Sequence, residues 1–171
     1  MSLKILLALS LIFITSLALG QDTTKLIRTP YRLSVAVDKK TVYEEEIKAT
    51  YYVLPNKTIQ LYPGETIHVE IDQKDGVILA MTAVAEVKDP TKTITISFSQ
   101  SSKRKVHEMT MLQIANPFPQ DIIYKSKIFL LKQNRWVDTK VIPVRAKLSA
   151  FETWPDIITS IAIGDWSFRA N

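Results

Sequence analysis

The sequence predicts an all-β protein in which two antiparallel sheets pack face to face, and three observations carry that expectation. Apolar and polar residues alternate in about eight to ten short segments spaced roughly ten residues apart. Turn chemistry separates the segments, as at Pro63-Gly64, Asp75-Gly76 and Asp89-Pro90. The connections are too short for the crossover helices of a parallel sheet. A sheet with one apolar face must bury it, and a second sheet does so without helices. A two-sheet sandwich is therefore the leading architecture and an eight-stranded barrel the runner-up.

Taken in order, residues 21–29 form a polar, threonine-rich leader expected to be loose. In residues 31–37, Tyr31, Leu33, Val35 and Val37 share a face, which predicts the first strand. Asp38, Lys39 and Lys40 turn the chain. The acidic run Glu44, Glu45 and Glu46 can open a short helix carrying Ile47 and Tyr51; equally, residues 50–54 can extend as a β segment, because Thr50, Tyr51, Tyr52 and Val53 favour that state. Residues 58–62 predict a strand ending at Pro63-Gly64. Residues 65–72 then alternate strictly, with Ile67, Val69 and Ile71 on one side and Thr66, His68, Glu70 and Asp72 on the other. Asp75-Gly76 suits a two-residue hairpin turn whose central residues need positive φ.

Residues 77–87 are more continuously apolar. Ala80, Ala83 and Ala85 leave a helix open, but the flanking turns and the valines and isoleucines favour a central strand. Residues 91–99 alternate again, placing Ile94, Ile96 and Phe98 inward, and residues 106–115 continue as a strand. Asn116-Pro117-Phe118-Pro119 cannot sustain a regular element, because two prolines remove two donors and restrict the residues before them; it reads as a connection. Beyond it, Ile122, Tyr124, Ser126, Ile128 and Leu130 take one face and Lys125 and Lys127 the other. Residues 136–147 contain Pro143, which implies an edge, a bulge or a break. Residues 149–156 read as a packed loop and residues 157–168 as the last strand. Strand number, spacing and the scarcity of helical periods give the sandwich an immunoglobulin-like look, a fold type that hosts unrelated functions.

The N-terminus predicts the compartment. Lys4 precedes a mostly apolar run over residues 5–19, and Ala18 and Gly20 are the small residues expected before a cut at Gln21. Residues 1–20 thus read as a cleaved signal peptide, shorter than the roughly 20 apolar residues a stable transmembrane anchor needs. Residues 21–171 are expected to form a single exported domain, periplasmic or secreted. The absence of cysteine favours a bacterial envelope and excludes thiol chemistry. Lysines and arginines exceed acids by five, an excess reduced by one when Lys4 leaves.

No catalytic, metal or cofactor assignment follows from the residues. Gly64, Gly76 and Gly164 form no phosphate loop. His68, Glu70 and Asp72 share a strand face with the geometry to hold a cation or an acid–base pair, and the simpler reading is an ordinary polar surface. Ser102 and Lys105 stand at the spacing of a catalytic pair but lie in a charged turn. Lys103, Arg104 and Lys105 form the most basic run, read as a solvated hairpin tip. With Lys125, Lys127, Lys132 and Arg135 they would suit an anionic glycan or a lipid headgroup; export disfavours nucleic acid.

Trp136, Trp154 and Trp166 crowd the last quarter with Phe151 and Phe168, either as a ligand platform or as core. The expected function is a noncatalytic subunit, chaperone-like or accessory, that binds another envelope or extracellular protein through a sheet edge, with Pro143 marking one margin. The alternative is a carbohydrate-binding module using Trp136, Trp154 and Trp166; a small hydrolase stands third. Two coplanar exposed tryptophans would favour the module, and a bare sheet edge the protein binder.

Overall fold

A computed structural model describes residues 26–169. The expected leader, residues 1–20, and its junction with Gln21 lie outside them. Among the described residues, eleven strands form an all-β fold of three antiparallel sheets: β1 (Tyr31–Ala36), β2 (Val42–Ile47), β3 (Ile59–Leu61), β4 (Glu65–Lys74), β5 (Val77–Val84), β6 (Thr93–Lys103), β7 (Val106–Ala115), β8 (Asp121–Leu130), β9 (Arg135–Thr139), β10 (Ser149–Trp154) and β11 (Ile158–Arg169). A five-stranded sheet runs β10-β7-β6-β4-β5, a four-stranded sheet runs β3-β11-β8-β9, and β1 and β2 pair alone. No described helix is long and apolar enough to cross a membrane.

The alternation read from the sequence becomes the core. Ile67, Val69, Ile71, Ile94, Ile96, Phe98, Leu112 and Ile114 of the five-stranded sheet share one apolar cluster with Ile59, Leu61, Ile122, Ile128, Ile158, Ile161 and Ile163 of the four-stranded sheet. Each such side chain contributes about 1.5–3 kcal/mol by leaving water. The β1-β2 hairpin has its own cluster of Leu33, Val35, Ile47 and Ile157, bordered by Tyr43, Tyr62 and Leu131. Gln100 in β6 latches it: the side-chain oxygen accepts from the Ala36 amide and the side-chain nitrogen donates to the Ala36 carbonyl, both at 2.8 Å, as a neighbouring strand would.

Two hairpins use the same left-handed two-residue turn. Asp75 (φ 52°) and Gly76 (φ 77°) join β4 to β5, as their residue types predict. Arg104 (φ 51°) and Lys105 (φ 66°) join β6 to β7 with no glycine, so the basic run is a hairpin tip held at a conformational cost. The double-proline connection crosses from the five-stranded to the four-stranded sheet. Buried Asn116 supplies what the prolines lack: its amide donates to the carbonyls of Gln120, Val144 and Arg145, and its oxygen accepts from the Phe118 amide at 2.8 Å.

Several expectations need correction. The three glutamates lie in β2, and Arg32 across the hairpin pairs with Glu44 at 2.7 Å; pairing with β1 decides against a helix. Residues 50–54 make isolated bridges, Tyr51 to Ile27 and Val53 to Ile59, and form no continuous strand. Residues 26–29 are not loose, since Ile27 bridges Tyr51 and the Arg28 amide donates to Thr50. Residues 149–154 are a strand on β7, with Ala150 inward and Phe151 outward, and not a loop. The apolar strand β5 is an edge and not central: Val77 and Leu79 are exposed, and only Ile78, Met81 and Ala83 point into the core. The stretch with Pro143 breaks after Thr139 and resumes only as a bridge from Val144 to Ile122, at the margin of its sheet.

Candidate docking groove at an open sheet edge

The residues singled out in the sequence are dispersed. Lys103, Arg104 and Lys105 are exposed at the β6-β7 tip. Lys125 and Lys127 belong to the other sheet, where Lys125 pairs with Asp165 at 3.0 Å and Lys127 with Asp138 at 3.6 Å. The bond to Asp165 raises the Lys125 pKa above the ordinary lysine value. Trp166 is buried, stacked on Tyr124 at 5.4 Å, and donates to the Lys57 carbonyl. Trp154 is half-buried and donates to the Thr139 hydroxyl at 3.1 Å. Trp136 is exposed on β9, edge-on to Phe129 at an interplanar angle of 72°. The three indoles share no surface.

His68 and Glu70 face outward, as expected, and each is engaged across strands. The His68 Nδ1 lies 3.0 Å from the Thr95 hydroxyl, and Glu70 pairs with Lys92 at 3.2 Å. Asp72 is exposed farther along β4. Among the described residues no three histidine, aspartate or glutamate side chains group closely enough to hold a metal.

Sequence reasoning missed Arg28. Its side chain is 1% exposed; Nε donates to Glu65 Oε1 at 2.6 Å, and Nη2 donates to Glu65 Oε2 at 3.1 Å and to the Gln60 carbonyl at 2.7 Å. The guanidinium lies 4.4 Å from the Tyr52 ring centroid and 5.0 Å from that of Tyr62. Burial first, and then the negative charge of Glu65, push the Tyr31 and Tyr52 phenols above their ordinary pKa. A single arginine in a polar leader carries no periodic signal, so only the fold reveals its partners.

This anchor sets Leu26 beside the outer edge of β5. There residues 51–57 pass along the flank and leave a groove of about 240 Å³ lined by Leu26, Tyr51, Val53, Leu54, Met81 and Ala83, among others. Tyr51, Leu54 and Leu79 around it are exposed apolar residues. Among the described residues β5 pairs with β4 alone.

Of the other edges, that of β3 is covered and those of β9 and β10 are tied to each other through side chains, while among the described residues β2 pairs with β1 alone. Val53 bridges Ile59 of β3, and the Leu54 amide donates to Thr58. β9 and β10 are stitched together by the Trp154 indole on Thr139 and by the Glu152 carboxylate, which accepts from the Ile142 amide at 2.6 Å. Among the described residues β5 therefore couples a backbone edge that no strand pairs to an apolar groove, the two parts of a strand-addition site.

Comparison of the chain with protein-family models, with curated proteins and with solved structures finds no match.

Proposed function

We propose that this chain is an exported, noncatalytic β-sandwich of immunoglobulin-like type that binds another envelope or extracellular protein as an accessory, chaperone-like or structural subunit. The observation that carries the reading is the β5 edge, which no strand pairs among the described residues, beside its apolar groove. Backbone donors and acceptors along such an edge reward an incoming extended segment, and alternate side chains of that segment find apolar cover. The sandwich reading is supported by two open antiparallel sheets on a shared core and by a chain that changes sheet at β3-β4, β7-β8, β9-β10 and β10-β11.

Export is supported by the leader-like residues 1–20. Mass measurement of the exported protein should find an N-terminus at Gln21; an intact Met1 in the membrane fraction would refute export by cleavage. For the binding reading, cross-linking in intact cells should trap a defined protein at a β5 position such as Thr82 and not at Lys103 on the distant hairpin tip.

Exposed Trp136 beside Phe129 favours a second reading, a sugar-stacking surface. Retention on a polysaccharide that disappears in Trp136→Ala, with no protein trapped at β5, would move the assignment there.

A further inference from the structure

We infer that His107 is a pH-sensitive latch on the β1-β2 hairpin: while its imidazole is neutral it holds the Ala36 end of the hairpin against β6, and when the ring takes up a proton it lets that end go. The inference goes beyond the partner-binding reading and does not depend on it.

A bulge places the ring. Thr110, Leu112 and Ile114 of β7 point into the core, and strict alternation from them would turn residue 107 outward. The β6-β7 ladder slips between Ser101 and Ser102, so that Glu108 is an extra residue between Met109 and His107. The bulge re-aims His107 toward the side chain of Gln100. The Gln100 Nε2 lies 2.8 Å from the imidazole Nδ1.

Two backbone groups then decide where the imidazole proton sits. The Ala36 amide can only donate and its carbonyl can only accept, which leaves the Gln100 carboxamide one orientation, Oε1 on the amide and Nε2 on the carbonyl, each at 2.8 Å. The second hydrogen of the Gln100 nitrogen is left for the imidazole Nδ1, which must offer a lone pair. On the far side of the ring, the His107 Nε2 lies 3.1 Å from the Pro155 carbonyl, an acceptor, and must carry the hydrogen. Both neighbours select the same neutral tautomer.

A proton added at Nδ1 sets a ring N–H against the N–H of Gln100. Gln100 cannot answer by turning its carboxamide over, because both of its bonds to Ala36 would then face like against like. The ring is held from behind by Pro155, through a bond that positive charge strengthens. The strain therefore falls on the Gln100–Ala36 pair. The latched hairpin binds fewer protons than the released one, so the latch weakens as pH falls.

The charged groups around the ring leave this sign unchanged. Across the ladder from His107 stands Ser102, followed by Lys103, Arg104 and Lys105 at the tip, which disfavour a further positive charge. The hairpin brings Asp38 beside Val37, with its carboxylate engaged by the Lys40 and Thr41 amides, and the exposed Lys39 and Lys40. The connection after β10 brings Asp156, and β7 itself brings Glu108, whose carboxylate accepts from the Ser101 hydroxyl. Among the described residues no carboxylate forms an ion pair with the imidazole.

Backbone hydrogen exchange at Ala36 reads the latch. Corrected for the intrinsic pH dependence of exchange, protection of the Ala36 amide should fall by ~tenfold or more between about pH 8 and about pH 5, the range in which histidine ordinarily changes charge, while Val69 in β4 keeps its protection. Nitrogen–proton correlation spectra of the imidazole at the higher pH should show His107 protonated at Nε2 alone. His107→Asn sets a carboxamide oxygen near the place of Nδ1 with nothing to titrate, and should leave Ala36 protected at both ends of the range. Gln100→Leu should leave it poorly protected at both.

A ring protonated at Nδ1 at the higher pH would overturn the inference, as would wild-type protection of Ala36 that does not change with pH, which would mean that the charged ring swings aside and leaves Gln100 in place. A pH dependence that survives in His107→Asn would overturn it too, and would pass the effect to another group such as His68. If His107→Asn does not fold, the wild-type tautomer and the wild-type protection decide.

Discussion

The two flanks of the paired sheets close by different means. On the β9-β10 flank, a tryptophan donates to a threonine hydroxyl, a carboxylate takes a loop amide, and Asn116 ties the returning chain at Val144 and Arg145 to the double-proline connection. On the β3-β5 flank, residues 26–28 and 51–57 cover β3, and a lysine guards one end of β5, leaving a groove. One flank is sealed by directional hydrogen bonds and the other is lined by apolar side chains that nothing described covers. A sheet edge is thus open or shut according to what distant segments bring to it, and strand composition does not decide the matter.

The largest expected effect breaks the anchor of the open flank. Arg28→Ala leaves Glu65 buried without its cation, and removing one member of a buried pair costs about 3–5 kcal/mol. Urea denaturation should register this loss. Replacing both members, as Arg28→Met with Glu65→Leu, should recover most of it, because no charge then remains buried. If the single variant melts like the wild type, the anchor is not what holds residues 26–28.

Next in size is the sealed flank. Asn116→Ala removes a buried amide that satisfies three carbonyls and one backbone donor, with an expected loss of about 2–3 kcal/mol. Hydrogen exchange should quicken at Phe118 and Val144 and stay unchanged along β4. Equal exchange on both flanks would erase the distinction between them.

The same flank should respond to acid. The Ala146 amide, and then Arg145, hold the Asp121 carboxyl below its usual value of 3.8. A carboxyl whose folded pKa is depressed adds stability above its unfolded pKa and loses it as pH falls through the folded one. Stability should therefore decline below about pH 4, where free aspartate begins to protonate, and Asp121→Asn should flatten that part of the profile. An unchanged acid limb in the variant would show that Asp121 does not contribute to it.

The smallest effect lies away from both flanks. Lys105→Gly relieves a side chain held at φ 66° and should raise stability by up to ~1 kcal/mol, readable as a few degrees of melting temperature. Destabilisation instead would mean that the Lys105 side chain supports the turn.

What the sequence determined by itself was local. The period-two alternation at residues 65–72, 93–99 and 122–130 and the Asp75-Gly76 turn were legible because side-chain alternation and φ preference belong to a few consecutive residues. Pro143 was legible as a margin because a missing donor restricts pairing wherever it falls. Only the tertiary structure decided which strands end the sheets. The apolar run of β5 looked central because it resembles a strand covered on both faces, yet composition cannot name its neighbours, and Val77 and Leu79 are left in solvent. Residues 42–47 and 149–154 became strands by pairing with β1 and β7, contacts that no period within those residues records. The groove was invisible for the same reason: Leu26, Tyr51 and Met81 lie far apart in the chain, and only tertiary contacts, among them the Arg28–Glu65 pair and the bridges of Tyr51 to Ile27 and Val53 to Ile59, bring its walls together.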